Sequence, residues 1–178
     1  MPEGFYTDRW FVRHTPALKS VMRIIFGVVW GIDGALKFQP GMSDTFVQLL
    51  QSAGQNQPSW MMPWFNFWAG YVAQDPNFFV LLIGCLELAL AFSLIFGFMR
   101  KVAYTGGILL SLVIWSVPEG FGAVFGPGAT DIGTGIIYAF VFLFLLIIEA
   151  TYGTSKWSLD SIIEKKIKWW KKLSELKY

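Results

Sequence analysis

Residues 78–99 read FFVLLIGCLELALAFSLIFGFM. Glu87 is the only charged residue in this run. A membrane-crossing helix needs about 20 consecutive, mostly apolar residues, and this stretch supplies them. Working outward, Arg100 and Lys101 end the run and a second one follows at about Val102–Val117, closed by Pro118. Upstream, Ala17–Phe38 is a third run, with Lys19, Arg23, Asp33 and Lys37 inside it or at its ends. Downstream, Ala129–Ala150 is a fourth. The expected fold is all-α: an integral membrane four-helix bundle with short connections except between the first two spans.

Composition agrees. The 178 residues are 54% hydrophobic and 18% aromatic, only 15% are charged, and the mean hydropathy is +0.50. Soluble domains carry about 25% charged residues. A net charge of +2 gives no argument for a nucleic-acid partner. One cysteine, Cys85, and one histidine, His14, provide neither an internal disulfide, a four-ligand zinc site nor a bis-histidine haem. No metal or haem is therefore expected on this chain alone. Residues Met1 to Thr15 do not read as a cleavable leader.

Lysine and arginine positions predict the orientation. Arg9, Arg13, Lys19 and Arg23 precede or open the first span, Arg100 and Lys101 separate the second and third, and seven lysines from Lys156 to Lys177 follow the fourth. Residues 39–77 and 118–128 contain neither Lys nor Arg. By the positive-inside rule both termini and the middle turn are cytoplasmic. The expected location is the plasma membrane, multi-pass, in direct contact with the lipid bilayer.

Two segments lie outside the spans. The outer loop, 39–77, carries Trp60, Trp64, Phe65, Phe67, Trp68 and Tyr71 with Pro58 and Pro63, and reads as short helices on or in the outer leaflet. It is either an aromatic belt that fixes depth or a lid over a lipid-facing cavity. The chain then divides into a membrane domain, 1–155, and a basic tail, 156–178. From Ser158 the tail places Leu159, Ile162, Ile163, Ile167, Trp170 and Leu173 at helical spacing, with Lys165, Lys168, Lys171 and Lys172 largely elsewhere. This predicts a cytoplasmic amphipathic helix that lies along an anionic leaflet or docks onto a cytoplasmic partner.

Charged residues within spans are costly and are functional candidates. At 100° per residue, Arg23, Gly27, Trp30, Gly34 and Lys37 form one stripe of the first span, with Asp33 to its side. Gly27 and Gly31 permit close helix contact. Glu87 shares a face with Val80, Gly84, Ala91 and Leu94, about 13 Å into its span at 1.5 Å per residue. It has to be paired, hydrogen-bonded or protonated there. In the fourth span Asp131, Gly135, Tyr138, Phe142, Leu145 and Glu149 align, and Asp131 suits the helix start. Lys37, Asp33 and Asp131 gather in the outer half, Glu87 is central, and Arg23 and Glu149 lie lower. This set is a proton path or polar cavity, or it is a group of ion pairs, Arg23 with Glu149 among them, that fixes helix register. Cys85 is expected to face lipid or a neighbouring helix.

Three segments carry a resemblance. RIIFGVVWGIDGALKFQPG, 23–41, joins an Arg, spaced glycines and a Gly-x-x-Lys ending. GCLELALAFSLIFGFMRKVA, 84–103, joins a buried Glu to a Gly and basic residues. GPGATDIGTGIIYAFVFLFLL, 126–146, resembles a fourth-helix entry. In this order they resemble the DoxX/DoxD family of small four-helix membrane proteins, over about Arg23 to Glu149. The long aromatic loop and the lysine-rich tail have no clear counterpart. The resemblance implies a DoxD-like subunit of thiosulfate:quinone oxidoreductase, which couples two thiosulfates to tetrathionate, passes electrons to membrane quinone and pairs with a DoxA-like subunit. On that reading Glu87, Lys37, Asp33 and Asp131 are the catalytic candidates, and Trp30, Tyr138 and Arg23 the quinone-binding ones. Two rivals stand: a non-catalytic integral subunit of a larger respiratory or oxidase complex, and a small transporter, which four spans would support only as a homo-oligomer.

Overall fold

The structure, a computed structural model, describes residues 9–55, 57–127, 130–153 and 157–176. The expected division between 155 and 156 lies outside them, as do Lys156 and Lys177. Among the described residues every regular element is helical. Five long or medium helices come first: α1 (Arg9–Leu36), α2 (Met42–Gly54), α3 (Met62–Val72), α4 (Pro76–Phe96) and α5 (Arg100–Ser116). A 3₁₀ turn (Gly120–Ala123), α6 (Thr134–Tyr152), α7 (Asp160–Lys166), a second 3₁₀ turn (Lys168–Trp170) and the single turn α8 (Lys171–Ser174) complete the described elements.

Three helices are long and apolar enough to cross a membrane: α1 from Arg13, α4 and α6. The protein is therefore a membrane protein by this criterion. At 17 residues, α5 is shorter. At 1.5 Å per residue it extends about 26 Å, just under a hydrocarbon core of about 30 Å. It nonetheless exposes Val102, Leu109 and Val113, as the longer helices expose Ile25, Ile32, Phe92, Phe140 and Phe144.

Helix α4 begins where local chemistry favours a start. Pro76 occupies the first turn, and the Asp75 carboxylate accepts the Phe78 N–H at 3.1 Å. It ends at Gly97, whose φ of 65° is left-handed. Helices α1 and α4 pack antiparallel through missing side chains. A Cβ on Gly27 would sit 2.9 Å from Leu94, and one on Gly34 3.0 Å from Leu88. Helices α5 and α6 repeat the device, with Gly107 against the Phe142 ring and Gly135 against the backbone of Ser111. In lipid, such close backbone approach is a main source of helix association.

The two pairs meet in an aromatic layer. Phe26 lies 5.3 Å from Tyr138 and 4.9 Å from Phe142, ring to ring, and Trp30 lies 5.6 Å from Phe142. Leu94 and Tyr104, both fully buried, close it. A smaller core of Phe46, Leu50, Val72, Val80 and Val117 seats α2 and α3 over one end of the long helices. Gln57 donates to Gly120 O at 3.0 Å, and the Trp64 indole donates to Ser116 O at 2.9 Å, fastening this cap to the α5–α6 connection.

Two expectations change here. The fourth helix starts at Thr134, not near Ala129, because Asp131 turns back to accept the Gly133 N–H at 3.2 Å and Gly133 has φ 89°. The tail is not one amphipathic helix. It breaks at Ile167, whose backbone is extended, and Asp160, Ser174 and much of Trp170 turn inward against the rest of the chain.

Candidate functional site

Four helices contribute to one polar cavity of about 380 Å³. Trp30, Asp33 and Lys37 come from α1, Glu87 from α4, Ser111 from α5 and Tyr138 from α6. The connection before α6 adds Glu119. Helical periodicity explains the gathering on α1: positions 30, 33, 34 and 37 share one side, and the glycine there draws α4 close enough to bring Glu87 to Lys37.

The Glu87 carboxylate lies 3.3 Å from Lys37 Nζ, with the Glu87 side chain 3% exposed and that of Lys37 23%. Lys37 also donates to Asp33 O at 3.4 Å. A carboxylate so deeply buried requires a counter-charge, and its removal would strand the other ion. The contact runs through Glu87 Oε2 and is long for a charge-assisted hydrogen bond. Trp30 Nε1 and Ser111 Oγ, both on fully buried side chains, have no hydrogen-bond partner among the described residues. Each buried polar group left without a partner costs about 1–3 kcal/mol. Two of them on residues that line one cavity, beside an ion pair, define a place where a polar occupant is favoured.

An apolar groove of about 310 Å³ runs from this cavity beneath the cap. Phe46 and Leu49 of α2, Trp68 and Val72 of α3, Phe79 of α4 and Val117 just past α5 line it. Lys37, Glu87, Ile114 and Glu119 belong to both spaces, so the groove opens onto the ion pair. Helices α2 and α3, from the aromatic loop, cover this groove, while Trp60, Phe67 and Tyr71 on the same segment stay exposed.

Not every expected site residue is here. Asp131 is exposed, bonds among the described residues only within its own turn and lies on neither cavity. Arg23 is fully buried but donates to Trp157 O, more than a helical turn from the cavity, and does not pair with Glu149. Glu149 is taken instead by Arg100 and by Lys19 at 3.0 Å. These belong to a second polar cluster. Asp160, fully buried, accepts from Met99 N at 2.9 Å, Arg100 N at 3.1 Å, Arg100 Nε at 2.9 Å and Trp170 Nε1 at 2.8 Å. Glu164 accepts from Arg100 at 3.2 Å and from the Ser174 hydroxyl at 2.6 Å. Burial pushes the Glu164 carboxyl above its ordinary range, while the Ser174 hydroxyl and Arg100 pull against that and Glu175 adds to it.

Three functional residues escaped the sequence reading. Ser111 falls on the stripe Arg100, Tyr104, Gly107, Ser111, which the periodicity test used on the other spans would have found. Glu119 is the only acid in residues 118–128. Its Oε2 accepts the Gly135 N–H at 2.9 Å, so it, rather than Asp131, satisfies the α6 N-terminus. Arg100 was read as a topology signal and as a basic residue of the 84–103 motif, not as the centre of a buried ion cluster. Compared with protein-family models, curated proteins and solved structures, the chain matches none.

Proposed function

We propose that the protein is a four-span, quinone-linked membrane subunit with both termini in the cytoplasm, of the DoxD-like kind that its motifs resemble. The single observation that carries the binding part is the meeting of the polar cavity and the apolar groove at Glu87 and Lys37. A prenylated quinone has that shape: a flat head with two carbonyl acceptors and an apolar tail. Trp30 Nε1 and Ser111 Oγ hold donors with no partner in the protein, and Tyr138 stands 5.7 Å from the Trp30 ring. Trp30 and Ser111 would orient the head by donating to its oxygens, and Tyr138 would flank it. The quinone supplies the two-electron acceptor chemistry. Glu87, held beside Lys37 on the cavity wall, is placed to hold or pass a proton.

The same lining argues against thiosulfate in this cavity. Asp33, Glu87 and Glu119 outnumber Lys37, and a dianion would meet net negative charge. We therefore assign sulfur oxidation to a DoxA-like partner. Support for four spans comes from α5, which packs along α6 as α1 packs along α4 and shows apolar side chains outward. Support for the orientation comes from Lys19 donating to Gly153 O and Leu159 N donating to Phe96 O at 2.8 Å. These bonds bring the N-terminal half of α1, the α4–α5 turn and the tail, all basic, to one end.

A second reading, a non-catalytic subunit of a larger complex, draws on a groove of about 430 Å³ between α4 and α5 where Ala89, Ala103 and Gly106 leave room for a partner helix. Two measurements separate them. Binding of a short-tailed quinone analogue to the purified protein, and thiosulfate-dependent reduction of it in membranes with a candidate partner, are compared for wild type, Glu87→Gln and Lys37→Met. Binding and turnover in wild type with loss of turnover in both variants is expected. Absence of quinone binding in folded wild type would remove the catalytic reading and leave the structural one.

A further inference from the structure

The tail separates its charges. Of its three described acids, Asp160 is fully buried and Glu164 has a side chain only 8% exposed, both drawn inward by Arg100, while Glu175 is half-buried near the chain's end. Lys165, Lys166, Lys168, Lys171 and Lys172 are all left exposed. The outward face is thus basic with its own counter-charges removed. Its exposed apolar side chains include Trp157 at 58%, Ile162 at 57% and Trp169 at 59%, with Ile167 less so.

Packing fixes the height of this face. The exposed ring of Phe92 on α4 lies 5.9 Å from Phe98 in the α4–α5 turn, and Phe98 lies 5.3 Å from Trp170 in the tail. The tail therefore begins where the apolar outer surface of α4 ends, at headgroup level. Two backbone hydrogen bonds hold it there, Leu159 N to Phe96 O at 2.8 Å and Asp160 N to Gly97 O at 3.1 Å. Lysines supply the attraction to anionic headgroups, and Trp and Ile supply interfacial burial.

We infer that this docked tail is a binding face for anionic phospholipid in the leaflet that meets the α4–α5 turn. It recruits such lipid from the bilayer around the protein, and the ion cluster beneath sets the lysines in place for it. The inference is independent of what occupies the cavity between α1, α4, α5 and α6.

The full chain is reconstituted in phosphatidylcholine vesicles doped with spin-labelled phosphatidylglycerol or spin-labelled phosphatidylcholine, and the immobilised fraction of each label is measured. With about one lysine's worth of attraction realised per bound headgroup, phosphatidylglycerol should associate on the order of fivefold more strongly. The preference should vanish at about 1 M NaCl, where screening acts within about 3 Å. It should also vanish when Lys165, Lys166, Lys168, Lys171 and Lys172 are all changed to Gln, substitutions that remove no packed side chain. Equal association of both labels with wild type, or a preference that persists in the folded five-glutamine variant, overturns the assignment and leaves the face to an acidic protein. Should that variant misfold, the salt titration of wild type decides alone.

Discussion

Replacing Asp160 with Asn tests whether the tail is part of the fold. The carboxylate is fully buried and accepts four hydrogen bonds, two from the first amides of α5, one from the Arg100 guanidinium and one from the Trp170 indole. The amide is nearly the same size, so no cavity forms. What changes is the charge, and one oxygen becomes an NH₂ that faces donors. Removing one partner of a buried pair costs about 3–5 kcal/mol. Arg100 keeps Glu149 and Glu164, so the lower end applies, about 3 kcal/mol. For a chain of this size that lowers the thermal midpoint by about 6–12 °C. Two assays of the full chain in detergent check it: the midpoint by circular dichroism, and amide exchange at Met99 and Arg100. If the Asp160 bonds protect those amides, their exchange should speed up by about 10²-fold, the factor equivalent to 3 kcal/mol. A midpoint within 2 °C of wild type with unchanged exchange would refute the reasoning, because it would mean that the tail adds little to holding the α4–α5 turn.

Gly107→Val should separate α5 from α6, since a side chain there overlaps the Phe142 ring; we expect a cost of about 1–3 kcal/mol, read as a lower unfolding midpoint. Lys37→Met should destabilise more than Glu87→Gln, because the first leaves a carboxylate that is 3% exposed without its cation, whereas the second leaves a lysine that reaches solvent at 23%. Glu164 gives a pH signature. Its carboxyl titrates higher in the folded chain than unfolded, so its share of stability is present below the unfolded value and fades as pH rises through the folded one; Glu164→Gln should flatten that part of the stability profile.

Much of the helical core was legible because one face of each helix obeys one requirement. On α1, Gly27, Trp30 and Gly34 had to face protein, and they do. On α4, the face shared by Val80, Gly84, Glu87, Ala91 and Leu94 is the buried one. Periodicity captures such faces because neighbours four residues apart share a fate. It does not choose partners. Arg23 and Glu149 were matched by depth, yet Arg100 and Lys19 take Glu149, and Arg100 finds Asp160 sixty residues away. The tail failed for the same reason. Its apolar spacing is real, but an acid that can cap α5 and neutralise a buried arginine outweighs a continuous lipid-facing stripe, and the helix breaks at Ile167 to let Trp170 reach Asp160.

The two polar clusters also differ in a way that assigns their roles. Around Arg100 the charges balance: Lys19, Arg23 and Arg100 face Glu149, Asp160 and Glu164. Arg23 Nε and NH1 and the Tyr104 hydroxyl lack hydrogen-bond partners, but they are packed solid, since even a Cβ on Gly97 would overlap the Arg23 guanidinium. The cluster acts as a joint. Around Glu87 the charges do not balance, with Asp33, Glu87 and Glu119 against Lys37, and Trp30 and Ser111, whose Nε1 and Oγ have no partner among the described residues, line a cavity. A joint gains stability by saturating its bonds, whereas a binding site has to leave some unmade until its ligand arrives. By that criterion the cluster around Glu87, not the one around Arg100, has the character of a binding site.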